Sequence, residues 1–270
     1  MRCAVLGDPI AHSLSPTLHR AGYAAAGLPD WSYDTQRVPA GGVRAFVEQL
    51  GPEWRGLSVT APLKRELLEV ATEVTEQARL VGAANTLVLR PGCRVADNTD
   101  LPGAVAAVRE RYDGPVTAAT VLGAGATAAS TGLAMVELGA RSVTLLARSA
   151  PRAAETAAVV AAHPSAPRVL VGDLALDPVA GEVVVSTIPA DAQSDDLLAR
   201  CEAAAVLFEA LYDPWPTPLA RSAGERPLVA GLDLLVHQAA LQFAQFTGGP
   251  APLEAMRAAG EAALAQRSSR

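Results

Sequence analysis

The sequence predicts an α/β fold in two domains, and three observations carry that prediction. Short apolar runs of strand length alternate with helix-patterned stretches along most of the chain. A glycine-containing turn, TVLGAGATAAS (Thr120–Ser130), follows one of those runs and opens a helical pattern, the context of a Rossmann-like nucleotide-binding unit. The 270 residues are 50% hydrophobic and 19% charged, enough apolar material for a sizeable core in one or two domains.

The elements follow in order. Strand candidates in the first hundred residues are Cys3–Gly7, Trp31–Val38, Leu57–Ala61, Thr86–Arg90 and Arg94–Asn98. Helical patterns at Ser15–Gly27, Gly42–Leu50 and Leu63–Val81 lie between them, which argues for a largely parallel sheet. The first helix opens Ser15-Pro16, a serine N-cap followed by proline at the first helical position. Pro102–Asp113 reads as a helix carrying the chain into a second series. Its strand candidates are the start of Thr120–Ser130, then Ser142–Ser149, Arg168–Asp173, Glu182–Pro189, Ala205–Leu211 and Leu228–Gly231. Helices at Leu232–Gln242 and about Leu253–Gln266 end the chain. The expected domains are therefore 1–100 with 231–270, and 101–230, with a small-molecule cleft between them.

Composition narrows the function classes. Net charge is −6 and no run of Lys or Arg occurs, so neither nucleic acid nor a membrane surface is an expected partner. No stretch approaches the ~18–20 apolar residues of a membrane span, and the apolar segment at the N-terminus is too short for a signal peptide. Cys3, Cys93 and Cys201 are odd in number and form no CxxC, which fits free thiols in the cytoplasm. No His/Cys/Asp/Glu set has metal-ligand spacing, so no metal is expected. A monomer and a homodimer are both compatible with the sequence.

Gly123 and Gly125, with Ala126 after them, form the turn between strand and helix. The first glycine permits the bend, and the second lets the backbone approach a pyrophosphate at the helix N-terminus. Ala128 takes the third position of G-x-G-x-x-G. The next strand ends Ala147-Arg148-Ser149, with Arg152 one turn on and no acid nearby. Arginine there suits the 2′-phosphate of NADP, whereas NAD sites carry an acid. A plain strand-to-helix turn and two solvated arginines are the bland alternatives.

Of 22 Lys and Arg residues only Lys64 is lysine. It follows a strand end, where α/β sheets place their chemistry, and an ammonium can give up a proton that a guanidinium keeps. Asp100, in DNTD, is the candidate carboxylate partner. Glu66, nearer in sequence, is expected to face solvent. Thr60 and Asn85 also fall at element ends suited to a polar substrate, whereas Asp97 and Asn98 read as turn formers. A lysine beside a carboxylate, a polar cradle and a dinucleotide fit alcohol–ketone interconversion. Ser13 and Ser15 lack a G-x-S-x-G elbow, which argues against a hydrolase. His12 and His19 are read as orienting or packing residues, and His163, beside Pro164, as solvated.

Seven ordered segments resemble the shikimate dehydrogenase family: Gly7–His19, Ser58–Lys64, Gly82–Leu87, Asp97–Gly103, Gly123–Ala126, Ala210–Leu219 and Gly231–Ala239. The resemblance implies reduction of 3-dehydroshikimate to shikimate with NADPH, on the route to aromatic amino acids. It implies a substrate-binding first domain and an NADP-binding second one. By the same resemblance Lys64 and Asp100 are the catalytic pair, Ser13, Ser15 and Tyr212 bind the substrate carboxylate, and Thr60, Asn85 and Gln238 bond the ring hydroxyls. Ser58 stands where the family often has asparagine. Ala147, and the stretch Ser186–Ala192, also depart from the family pattern. A quinate or aminoshikimate dehydrogenase of the same family, or a ligand sensor without catalysis, is the alternative.

Overall fold

A computed structural model describes residues 1–268. The chain divides into two compact units, one formed by Met1–Thr99 with the chain from Leu235 onward, the other by Asp100–Leu234.

The first unit opens with strands β1 (Arg2–Gly7), β2 (Ser32–Arg37), β3 (Trp54–Val59), β4 (Glu73–Val74), β5 (Thr86–Arg90) and β6 (Cys93–Asp97). Helices α1 (Ser15–Ala25), α2 (Val43–Val47), α3 (Glu66–Val70) and α4 (Glu76–Val81) lie between them. The sheet order is β2-β1-β3-β5-β6-β4. It is mixed rather than largely parallel, because β3–β5 and β5–β6 pair antiparallel. Only Pro91 and Gly92 separate β5 from β6, with Gly92 at φ 72°. A two-residue connection makes a hairpin and no other pairing.

The helix expected over Leu63–Val81 is broken in the middle. Ala71 is extended, and Thr72 and Thr75 donate backbone N–H groups to Arg94 O (2.8 Å) and Ala96 O (3.0 Å). Thr72, Val74 and Thr75 are β-branched and favour that short strand over a helix. Thr75 then caps α4, its Oγ1 accepting from Ala78 N. The start of α1 also differs from expectation. Leu14 is the N-cap, Ser15 is already helical, and the Ser13 Oγ instead accepts from Ser15 N at 3.3 Å.

The second unit has α5 (Asp100–Arg111), β7 (Ala118–Leu122), α6 (Ala126–Glu137), β8 (Ser142–Ala147), α7 (Ala150–Ala161) and β9 (Arg168–Asp173). It continues with β10 (Val183–Ser186), α8 (Asp195–Arg200), β11 (Val206–Glu209), α9 (Pro218–Ser222) and β12 (Leu228–Val229). All pairings are parallel, in the order β12-β11-β10-β7-β8-β9. That is the doubly wound dinucleotide-binding order, with its reversal between β7 and β10. Apolar residues of the strands, among them Leu122, Leu146, Val184 and Leu207, are buried, as a sheet covered on both faces requires. His163 is not solvated as expected: its Nε2 lies 3.0 Å from Glu137 Oε1 and its Nδ1 2.9 Å from Ser165 Oγ.

Two helices return to the first unit, α10 (Gly231–Thr247) and α11 (Leu253–Ser268). Phe243 and Phe246 of α10 are buried, as is Met256 of α11. Gly22 and Gly56 let them in: a Cβ on Gly56 would stand 2.1 Å from the Phe246 ring, and one on Gly22 about 3.0 Å from Phe243. Helices at the end of the chain thus complete the core begun by its first strands.

Candidate active site

In the first unit the candidate residues collect at one edge of the sheet. Parallel strands β1 and β3 both end there, and antiparallel β5 begins there. Thr60 N donates to Leu6 O at 2.9 Å, and a Cβ on Gly7 would meet the Thr60 side chain at 2.5 Å, so glycine is what lets Thr60 sit against β1. Lys64 lies four residues further on, half-buried, its carbonyl accepting from Ala84 N at 2.8 Å. That bond ties the lysine-bearing turn to the segment carrying Asn85. Ser13 and Ser15 lie between β1 and the first turn of α1.

Asn85 is 2% exposed and is the centre of a buried polar layer. Its Oδ1 accepts from Thr86 Oγ1 (2.8 Å) and Thr99 N (2.8 Å), and its Nδ2 donates to Gln238 Oε1 at 3.2 Å. Gln238 Nε2 donates to Leu235 O at 2.8 Å. Asp97 and Asn98 belong to the same layer and are not simple turn formers. Asp97 accepts from Thr75 Oγ1 (2.6 Å) and Gln245 Nε2 (2.6 Å), and Asn98 Nδ2 donates to Ala83 O (2.9 Å). Such a layer is stable when its members are satisfied, and these bonds satisfy most of it, although Gln245 Oε1 is buried without a hydrogen-bond partner among the described residues.

Sequence reasoning missed the supporting roles of Thr86, Thr99 and Gln242, which bond Asn85, of Ser58 and Tyr33, which bond Gln242 in series, and of Gln245, which bonds Asp97. A signal existed: Gln238, Gln242 and Gln245 recur at helix-face spacing on an otherwise apolar helix. His19 packs beneath this layer, its ring stacked on Tyr33 at 4.1 Å between centroids. Burial pulls its pKa down to about 3, and the nearby Gln242 amide opposes the shift. That amide is committed elsewhere, and neither His19 ring nitrogen has a hydrogen-bond partner among the described residues. His19 is a neutral packing residue.

The second unit holds the other candidates. Asp100 is the first residue of α5 and is 6% exposed. Gly123 has φ 119°, and its N–H donates to Leu146 O at 2.8 Å. A Cβ there would strike Thr187 Oγ1 at 2.2 Å. Gly125 caps α6 in an extended conformation, and a Cβ on it would meet nothing within 4 Å. Open space before the N-terminus of a 12-residue helix suits a diphosphate, since N–H groups and the helix dipole face it. Arg148 directly follows β8, and Arg152 lies in the first turn of α7. Both are exposed, and neither has an ion pair or hydrogen bond among the described residues. These residues fit NADP. Tyr212 follows β11 on a turn anchored by Glu209, which accepts from Gln193 Nε2 (2.7 Å), Thr217 Oγ1 (2.8 Å) and Leu211 N (3.0 Å). Burial pushes the Glu209 pKa up against those donors.

Comparison with known proteins settles the family. Residues 5–87 match the shikimate dehydrogenase substrate binding domain, and residues 231–259 the shikimate 5'-dehydrogenase C-terminal domain. The crystal structure of Mycobacterium tuberculosis shikimate dehydrogenase is 42% identical, superposes with a TM-score of 0.87, and is covered over 99% of its length by 97% of this chain. The chain belongs to the shikimate dehydrogenase family. Shikimate dehydrogenase (NADP(+)) of Caulobacter vibrioides is 36% identical, with 92% of this chain covering 90% of that protein. Shikimate 5-dehydrogenase of Thermus thermophilus, solved with NADP(H) and shikimate, is 27% identical with a TM-score of 0.82, over 97% of this chain and 99% of that one. The chain also matches pentafunctional AROM polypeptides, of which it spans a small part: 17% of the Lachancea thermotolerans protein, at 32% identity. Among the described residues no group of His, Cys, Asp or Glu is gathered so as to hold a metal ion, and no helix is long and apolar enough to cross a membrane.

Proposed function

We propose that this chain interconverts 3-dehydroshikimate and shikimate with NADP(H), a step toward aromatic amino acids. The observation that carries the reading is the meeting of Asn85 and Gln238 at 3.2 Å, on the sheet edge that also bears Thr60 and leads into the one lysine. A ring with several hydroxyls is held by neutral groups that both donate and accept, and a ketone under reduction needs a proton donor beside it.

Ser13 and Ser15, assisted by Tyr212, hold the substrate carboxylate, and Thr60, Asn85 and Gln238 hold the ring hydroxyls. NADPH supplies hydride to the carbonyl carbon. Lys64 gives its proton to the carbonyl oxygen as negative charge develops there, and Asp100 keeps the ammonium oriented. Solvent returns the proton to Lys64. The bend at Gly123 brings the backbone N–H groups of Gly125 and Ala126 to the pyrophosphate, and Arg148 and Arg152 receive the 2′-phosphate. The same reading puts the enzyme in the cytoplasm, which the free thiols of Cys3, Cys93 and Cys201 support.

The test is NADPH formation followed by absorbance, with shikimate and quinate each offered with NADP+ and NAD+. Shikimate with NADP+ should give the highest kcat/KM, and a preference for quinate with NAD+ would replace this assignment. Replacing Arg148 with alanine should raise the KM for NADPH about tenfold, the size of one lost charge-assisted contact, and leave that for NADH unchanged. Equal changes would make Arg148 a surface residue.

A further inference from the structure

We propose that Gln242, which holds no assigned place in the reaction, is a positioning residue that helps Thr99 to fix which end of the Asn85 amide is turned toward Gln238 and the substrate. The proposal rests on the role given to Asn85 above. Gln242 is 1% exposed, on α10 one turn beyond Gln238, and both ends of its amide are used. One end lies 3.1 Å from the backbone oxygen of Asn85. A carbonyl oxygen only accepts, so that end is the nitrogen, and the amide orientation follows from chemistry alone.

The rest of the network is then forced. Gln242 Oε1 faces Ser58 Oγ at 2.7 Å, so Ser58 donates to it, and Ser58 in turn accepts from Tyr33 Oη at 2.6 Å. On the other side Gln242 Nε2 donates to Thr86 Oγ1 at 3.0 Å. Thr86 has one proton left to give, and it goes to the Asn85 side chain at 2.8 Å. The backbone N–H of Thr99 donates to the same Asn85 atom at 2.8 Å, which makes that atom the oxygen. The Asn85 nitrogen is therefore the end turned to Gln238. Gln242 works as a joint: it accepts from the Tyr33–Ser58 side and donates to the Thr86–Asn85 side. Without its donor end, Thr86 is free to turn its proton away, and Asn85 Oδ1 is left with Thr99, whose backbone N–H (2.8 Å) and hydroxyl (3.1 Å) also face it.

The experiment is a double-mutant cycle on steady-state kinetics, using wild type, Gln242→Leu, Asn85→Ala and the double variant, with Gln242→Glu measured beside them. Gln242→Glu keeps the shape and removes the donor, so it reports even if the leucine variant fails to fold. Each single change at Gln242 should raise the KM for shikimate about tenfold, the scale of one displaced hydrogen bond, with kcat and the KM for NADP+ within about twofold of wild type. In the Asn85→Ala background, exchange of Gln242 for Leu or Glu should move the shikimate KM by less than about twofold, because the effect runs through Asn85. A full tenfold rise in both backgrounds, or an unchanged KM in Gln242→Glu, overturns the positioning role while leaving the enzyme assignment standing. Failure of the wild type to oxidise shikimate overturns both.

Discussion

Lys64 and His19 mark the two extremes of what single residues do in the first unit. Lys64 stands out in the sequence because it is unique: a chain that uses arginine everywhere else keeps one cation able to exchange a proton, and the proposed proton donor rests on it. Lys64→Ala should lower kcat about 10²- to 10⁴-fold, the usual worth of a positioned proton donor, with a small change in the KM for shikimate. Steady-state kinetics at saturating NADP+ would expose a surviving kcat, which would end the assignment. The packing role expected of His19 agrees with its burial against Tyr33, whereas the polar layer above it shows in the sequence only as the glutamine spacing of α10. Ser58, Thr86 and Thr99 are ordinary residues for strands and turns, and their importance arises only from partners far away in sequence.

The buried ring also sets a pH dependence. Its folded pKa, about 3, lies below the ordinary 6.5, so the unfolded chain takes up a proton first as the pH falls. Stability from this group is complete above pH 6.5 and is lost toward pH 3, at up to about 1.4 kcal/mol per pH unit. His19→Phe keeps a ring against Tyr33 and removes the titration. Urea unfolding between pH 7 and pH 4 should show a shallower decline for that variant, and parallel curves would refute the reading.

At the scale of elements, the strands of the second unit follow their apolar runs closely, because a parallel sheet covered by helices needs continuous hydrophobic sequence. The one long helix expected in the first unit failed at ATEVT, where β-branched residues and the open edge of β6 outcompeted helical periodicity. Glu182 shows how a strand start is fixed. Its carboxylate accepts from Thr117 Oγ1 (2.6 Å), Thr117 N (3.0 Å) and Ala118 N (2.8 Å), clamping the entry of β7 to that of β10. Desolvation raises its pKa, but those donors outweigh it and bring the value down to about 2. The folded form thus favours the ionised group, so its contribution is present above the ordinary value of 4.5 and fades as the pH drops toward 2. Glu182→Gln should lower the Tm by a few degrees at pH 7, with the gap to wild type narrowing below pH 4.5 and markedly smaller at pH 3. A gap undiminished at pH 3 would point to lost packing instead.

For the whole molecule, the decisive fact is that the first unit is discontinuous. Its sheet comes from Met1–Thr99, while Phe243, Phe246 and Met256, which fill the space left by Gly22 and Gly56, come from the other end of the chain. Burying aromatic side chains of this kind is worth roughly 3–5 kcal/mol each when they are cut back to alanine, a large share of the stability of any domain. A fragment of residues 1–99 should therefore lack a cooperative melt. The continuous fragment 100–234 carries its own sheet and glycine turn, and it should melt cooperatively and still quench or shift NADPH fluorescence. Cooperative folding of 1–99 by itself would contradict this division.

The same discontinuity has a consequence for synthesis. On the ribosome, Asn85 emerges more than 150 residues before the glutamines that will hold it. The nucleotide-binding segment can finish folding while the nascent sheet ahead of it still waits for its last two helices. Until α10 and α11 have emerged, the sheet face and edge destined for them are exposed, and that interval is when this polypeptide most needs a chaperone.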